Sequence, residues 1–259
     1  MSKFNPPSIR YSSLSDLNFN NQDLDNVKIA DMILQQLNQG TLTRIKNALE
    51  NSVLISNFGE LLISVDKLND LFRTGNSGAE AIFVRKGIRN SVSPSNMINI
   101  ENSFYISVFD FEAILSNRID SASMYGGRKY QYLCYVKRLL EYLKNHNIYR
   151  DIRNLYQSQV DEYRPQLKRE RYNLLENKCC EFSKCNIDNL ADFEFAHIQS
   201  VVTNPRNALN VYNGVLIHRD YHRALTNNQV HDFEGMYEYC EVNRLDLAWA
   251  EQYLELGSY

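Results

Sequence analysis

A mixed α+β fold, with a mainly helical N-terminal region and a C-terminal strand, loop, strand and helix, is the class this sequence predicts. Three observations point to it. Apolar residues recur with helical spacing from residue 25 to 54 and again from 130 to 177. Short aromatic-rich or β-branched runs at 192–198 and 214–217 alternate or stay apolar as strands do. Glycine, proline and asparagine clusters punctuate the rest.

Taken in order, residues 1 to about 20 are rich in Ser, Asn and Pro, lack a period, and read as an irregular arm. From Asp25, the positions Val27, Ala30, Ile33, Leu34 and Leu37 predict a helix with Gly40 as its stop, and Leu42 to Leu54 predicts a second. Residues 80–85 (EAIFVR) and 99–111 (NIENSFYISVFDF) predict two strands paired across the intervening SVSPSN segment. After Gly126-Gly127, residues 130–143 predict a helix, and 148–177 a long one interrupted or restarted at Pro165. Residues 192–198 and 214–217 then predict strands around a Pro- and Asn-rich loop, with a short helix over 219–226.

Composition narrows the classes. Hydrophobic residues make up 44% and charged residues 23%, an ordinary globular balance that excludes wholesale disorder and a disulfide scaffold. No apolar run approaches the roughly 18 residues needed to span a membrane. The N-terminal residues carry neither an export nor an organelle pattern, so a cytoplasmic protein with reduced thiols at its five cysteines is expected.

The net charge of -3 conceals an uneven distribution. Residues 1–127 carry 11 basic and 13 acidic groups, 128–178 carry 12 and 6, and 179–259 carry 5 and 12. This predicts three parts: an N-terminal region at 1–127, a basic helical connector at 128–178, and a C-terminal module at 179–259 with an acidic tail. A polyanion would approach the middle, where Arg164, Lys168, Arg169 and Arg171 accompany tyrosines such as Tyr132, Tyr135, Tyr149 and Tyr163 that could pack or stack. The competing reading of such a face is the solvated side of an amphipathic helix.

Metal-ligand residue types concentrate in one stretch: His197, His218, His222 and His231, preceded by Cys179, Cys180 and Cys185. A regular pleat would put Asp192, Glu194 and Ala196 on one face of the first strand and Phe193, Phe195 and His197 on the other. Glu194 and His197 would then converge only through a bulge or twist. With His222 directed back from the helix, one carboxylate and two imidazoles could surround a divalent cation and its water, a hydrolytic constellation.

These residues carry a resemblance. His197, Asn213 and His222, within FEFAHI, NGVLI and HRDYHRAL, resemble the HNH motif of the ββα-metal endonucleases, and YRPQLKRERYNLLENKCC resembles the basic helix and cysteine preceding it in restriction-type members. The resemblance covers residues 163–230 and touches nothing in 1–127. It implies a ββα-metal nuclease module in which His197 is the general base, Asn213 orients the motif through backbone hydrogen bonds, and His222 is a ligand of catalytic Mg²⁺ or Mn²⁺. Many members carry a His or Asp ligand immediately before the base; Ala196 stands there, leaving Glu194 as first substitute and Asp192 as second. Arg219 and Arg223 are candidate phosphate contacts, although Arg223 could equally cap the helix. A structural Zn²⁺ found in some members would need Cys180, Cys185 and His218, with Cys179 an alternative and Tyr221 in the fourth place.

The implied function is metal-dependent cleavage of duplex DNA by a site-specific restriction or defence enzyme, with residues 1–127 supplying recognition or dimer contacts. A homodimer would suit a palindromic site. Two alternatives stay open: a nonspecific nuclease effector or toxin acting on DNA or RNA, and a non-catalytic nucleic-acid-binding module of the same fold.

Overall fold

The computed structural model describes residues 8–19, 21–27, 37–75 and 78–256. They form an α+β protein with two compact units, residues 8–153 and 154–256. The boundary falls inside the basic segment, within one helix. Among the described residues no helix is long and apolar enough to cross a membrane.

The first unit contains an antiparallel sheet of β1 (Tyr11–Ser13), β2 (Val53–Ser56), β3 (Leu61–Ser64), β4 (Ile98–Ile100) and β5 (Ser103–Ser107), in the order β1-β2-β3-β5-β4. Its helices are α1 (Asn21–Leu24), α2 (Gln39–Glu50), α3 (Leu68–Phe72), α4 (Ala79–Lys86), α5 (Val108–Ser123) and α6 (Arg128–Asn145). One face of α6, with Leu133, Val136, Leu139, Leu140 and Leu143, is buried in the same core as Ile45 and Leu49 of α2 and Ile55 and Ile63 of the sheet. Phe72 and Phe111 stack at 5.0 Å within it.

Several sequence expectations fail here for identifiable reasons. Helices outweigh strands in this unit as expected, but they enclose a five-stranded sheet, and the arm expected to be irregular supplies β1 and buries Leu14 and Phe19. Residues 80–85 are helix, not strand. Glu80 in the first turn and Arg85 and Lys86 in the last suit the helix dipole, Gly87 caps the end, and Glu80 and Val84, four apart, share the buried face. A six-residue segment with four consecutive apolar residues cannot separate the two periods. The partner of β5 is therefore β4, joined through Glu101 and Asn102, whose φ angles of 50° and 68° form a tight hairpin turn. The helix expected to run from Leu42 to Leu54 ends at Glu50, and Val53 and Leu54 open β2. Gly40 lies inside α2 rather than ending a helix; most of the helix expected from Asp25 to Leu37 lies outside the described residues.

The tyrosines of the basic segment are largely structural. Tyr132, Tyr135 and Tyr149 are buried; the Tyr132 hydroxyl accepts the Asn38 N–H at 2.9 Å, and Tyr149 donates to the Gly59 carbonyl at 3.2 Å. Gly59 is confined to glycine twice over, by a φ of 75° and by the Arg153 side chain where a Cβ would stand.

The second unit begins within α7 (Asn147–Leu174), which runs through Pro165 without a break. Proline removes one backbone bond, but Tyr156, Val160 and Leu167 bury a common face on both sides of it and hold the helix together. Next come β6 (Phe193–His197), paired antiparallel with β7 (Gly214–His218), then α8 (Arg219–Asn227), α9 (Phe233–Val242) and α10 (Ala248–Leu256). The core combines Phe182, Phe193, Val215, Ile217 and Leu225 with Met236 and Trp249 of the last helices, so the acidic C-terminal helices are part of the unit.

Candidate active site

The strand, loop, strand and helix over residues 193–227 position the candidate residues. Five successive pairs, from Phe193 opposite His218 to His197 opposite Gly214, join β6 and β7 without a bulge, so the strand brings Glu194 and His197 together by no break in the pleat, and the link from His197 to this group is the electrostatic influence of His222 on its ring. Alternate β6 side chains therefore leave on opposite faces. From β6, Glu194 reaches α8, where its Oε2 is hydrogen-bonded to His222 Nδ1. Phe195 and His197, two apart, meet edge to face at 5.1 Å. Gly214 is required here by close approach, since a Cβ would overlap the Phe195 ring. The Asn-Gly pair in the sequence thus leaves room for the aromatic ring that steadies His197.

His197 Nε2 donates to the Ala208 carbonyl at 2.8 Å. A carbonyl only accepts, so the proton sits on Nε2 and the Nδ1 lone pair is left open. Burial pushes the imidazole down from 6.5 to about 4; Arg164 and His222 push the same way, opposed by the Ala208 hydrogen bond and Asp161. The ring is neutral near pH 7, as a general base requires.

Asn213, fully buried, holds the loop that supplies Ala208. Its Nδ2 donates to the carbonyls of Gln199 (3.1 Å) and Asn207 (3.0 Å), and its Oδ1 accepts the Gln199 N–H (2.9 Å). Asn207 adjoins Ala208, so the amide fixes the backbone that fixes His197. From α7, the Tyr156 hydroxyl donates to the Pro205 carbonyl of the same loop at 2.7 Å.

Cations border this group. Lys168 of α7 has its ammonium lowered by burial and by Arg219, while Glu194 and Asp192 act in the opposite sense. Arg164 pairs with Asp161 at 3.1 Å, and Arg169 is exposed. Arg219 donates to the Ala191 carbonyl at 2.7 Å, and Arg223 lies 3.8 Å from Asp220 on the exposed side of α8. The electrostatic influence of Glu194 on Lys168 was missed in the sequence; helical spacing of Arg164 and Lys168 on one face was its only signal.

Other sequence-predicted residues have different roles. Arg171 is not a phosphate contact: it is 1% exposed and forms a two-pronged pair with Glu181, with Nε to Oε2 at 3.0 Å. Glu181 Oε2 also accepts the Leu216 N–H at 2.6 Å, fastening α7 to β7. Asp192 is turned toward Asn189 (3.1 Å) and Arg219 (3.8 Å), and no contact joins it to the Glu194–His222 pair among the described residues. His218 caps α8, its Nδ1 accepting the Asp220 N–H at 3.4 Å. Cys180 is buried in the apolar core and Cys185 is exposed beside Ser183, and the described residues contain no group of three or more His, Cys, Asp or Glu able to hold a metal. The predicted set of Cys180, Cys185 and His218 is thus not brought together.

The depressed His197 pKa makes stability pH-dependent. Between pH 6.5 and about 4 the unfolded chain binds a proton here that the folded chain does not, so stability falls as pH drops through this window. The expected loss is on the order of 2–3 kcal/mol. Urea unfolding at pH 7 and pH 4.5 should show a larger difference for the wild type than for His197→Gln; equal differences would contradict the assignment.

No protein-family model, curated protein or solved structure matches this chain.

Proposed function

We propose that this protein is a divalent-metal-dependent endonuclease of the HNH type that hydrolyses phosphodiester bonds in duplex DNA, site-specifically and in a restriction or defence role. The observation carrying this reading is the Glu194–His222 pair between β6 and α8, together with a neutral His197 whose Nε2 is tied to Ala208. A carboxylate oxygen and an imidazole nitrogen fit Mn²⁺ or Mg²⁺, which needs few protein ligands because water and substrate phosphate complete its shell. Glu194 and His222 would hold it, and when bound it stabilises charge on the phosphate and leaving oxygen.

The chain's own residues do the remaining work. His197 Nδ1 accepts the proton of the attacking water, Asn213 keeps the Ala208 carbonyl in place, and Arg164, Lys168 and Arg219 neutralise neighbouring phosphates. Two copies related by two-fold symmetry would address the two strands of a palindromic site.

The reading is tested by titrating Mn²⁺ in a cleavage assay with His222→Ala and Glu194→Gln. Each variant is expected to need about 10–100-fold more metal for half-maximal rate, the usual penalty for weakening a site of this kind. An unchanged metal requirement in both would remove the pair from the metal site.

A further inference from the structure

The two most exposed large apolar side chains among the described residues are neighbours. Met124 (82% exposed) and Tyr125 (89%) stand at the apex between α5 and α6. The apex is a formed turn: the Tyr125 N–H donates to the Ala122 carbonyl at 3.2 Å and the Gly126 N–H to that of Ser123 at 3.3 Å. Gly126 and Gly127, at φ 62° and 85°, then turn the chain into α6. Exposed Arg128 and Lys129 follow at once, and neither forms an ion pair among the described residues. Arg118 adds positive potential at Lys129. Two acids act on this end: Asp120 on Tyr130, and the buried Glu80 on Lys129.

Single exposed apolar residues are ordinary, but an adjacent pair raised on a turn and flanked by exposed cations suits a partner that is both anionic and apolar inside. Stacked bases between phosphate backbones meet that description. Methionine is one of the side chains that pry base steps apart, and a tyrosine ring stacks on any base. We propose that the Met124–Tyr125 apex is a wedge that enters duplex DNA between base pairs, with Arg128 and Lys129 holding the adjacent phosphates. The inference rests on the DNA reading above and adds to it a place where the first unit deforms the duplex.

The test measures binding of the full chain in EDTA, so that cleavage plays no part, to a matched duplex and to the same duplex with one mismatch. A mismatched step is cheaper to unstack. The wild type is expected to prefer the mismatch by about tenfold, and Tyr125→Ser or Met124→Ser to reduce that preference below about twofold. Neither change should move the melting temperature, since both side chains are exposed. Arg128→Gln with Lys129→Gln should weaken both duplexes alike and lower the salt slope by about two. Wild-type binding to both duplexes without preference would overturn the wedge and leave the DNA reading standing; failure to bind either would overturn both. Self-association lost in Tyr125→Ser, with the mismatch preference intact, would make the apex an interface between copies and overturn the wedge.

Discussion

His197→Ala is expected to lower the rate of DNA cleavage by about 10²–10⁴-fold, the usual contribution of a general base, while leaving DNA affinity within about twofold. The separation follows from geometry. His197 is half-buried and donates its Nε2–H to the Ala208 carbonyl, so what it offers a substrate is one lone pair and no cationic contact. His197→Gln sharpens the test, because an amide N–H can still donate to the Ala208 carbonyl but has no basic nitrogen. Both variants should be equally inactive, and their pH–rate profiles should lose the acid limb set by this imidazole. Recovery of activity in His197→Gln would make the residue a positioning group only.

Arg171→Ala is expected to destabilise the protein by about 3–5 kcal/mol, because it leaves the Glu181 carboxylate buried without its partner. A fall in the urea midpoint with little change in slope would show this. Arg171→Met combined with Glu181→Gln removes both charges and keeps an acceptor for the Leu216 N–H, so it should regain most of the loss. Had Arg171 been a phosphate contact, its removal would instead lower the salt dependence of DNA binding by about one ion and spare stability. That result would contradict its buried role.

The Arg171 case shows where sequence reading loses its footing. On a helix rich in Arg164, Lys168 and Arg169, nothing local distinguishes the one cation that turns inward, and its acid lies beyond the end of the helix at Glu181. The same holds for Tyr132 and Tyr149, whose hydroxyls meet backbone groups more than 89 residues away in sequence. β1 and the β4–β5 turn were invisible because three-residue strands carry almost no period, and Glu101-Asn102 is not a common hairpin pair. By contrast, β6, β7 and α8 were legible to within a residue or two. Alternating aromatics, an Asn-Gly entry to an apolar run, and an acidic first helical turn are all local signals. The motif resemblance marked His197, Asn213 and His222 as a group, with Glu194 as a substitute ligand, but the Ala208 carbonyl could not be foreseen, because a backbone acceptor leaves no mark on residue type.

The proposed phosphodiester-cleaving centre combines the Glu194–His222 pair with His197, which His222 reaches electrostatically. Its most direct test is cleavage of a long, sequence-diverse duplex DNA by the purified protein in Mg²⁺, Mn²⁺ or EDTA. Discrete fragments are expected in Mn²⁺ or Mg²⁺ and none in EDTA. Intact DNA in every condition, with the protein folded and bound to the duplex, would contradict it.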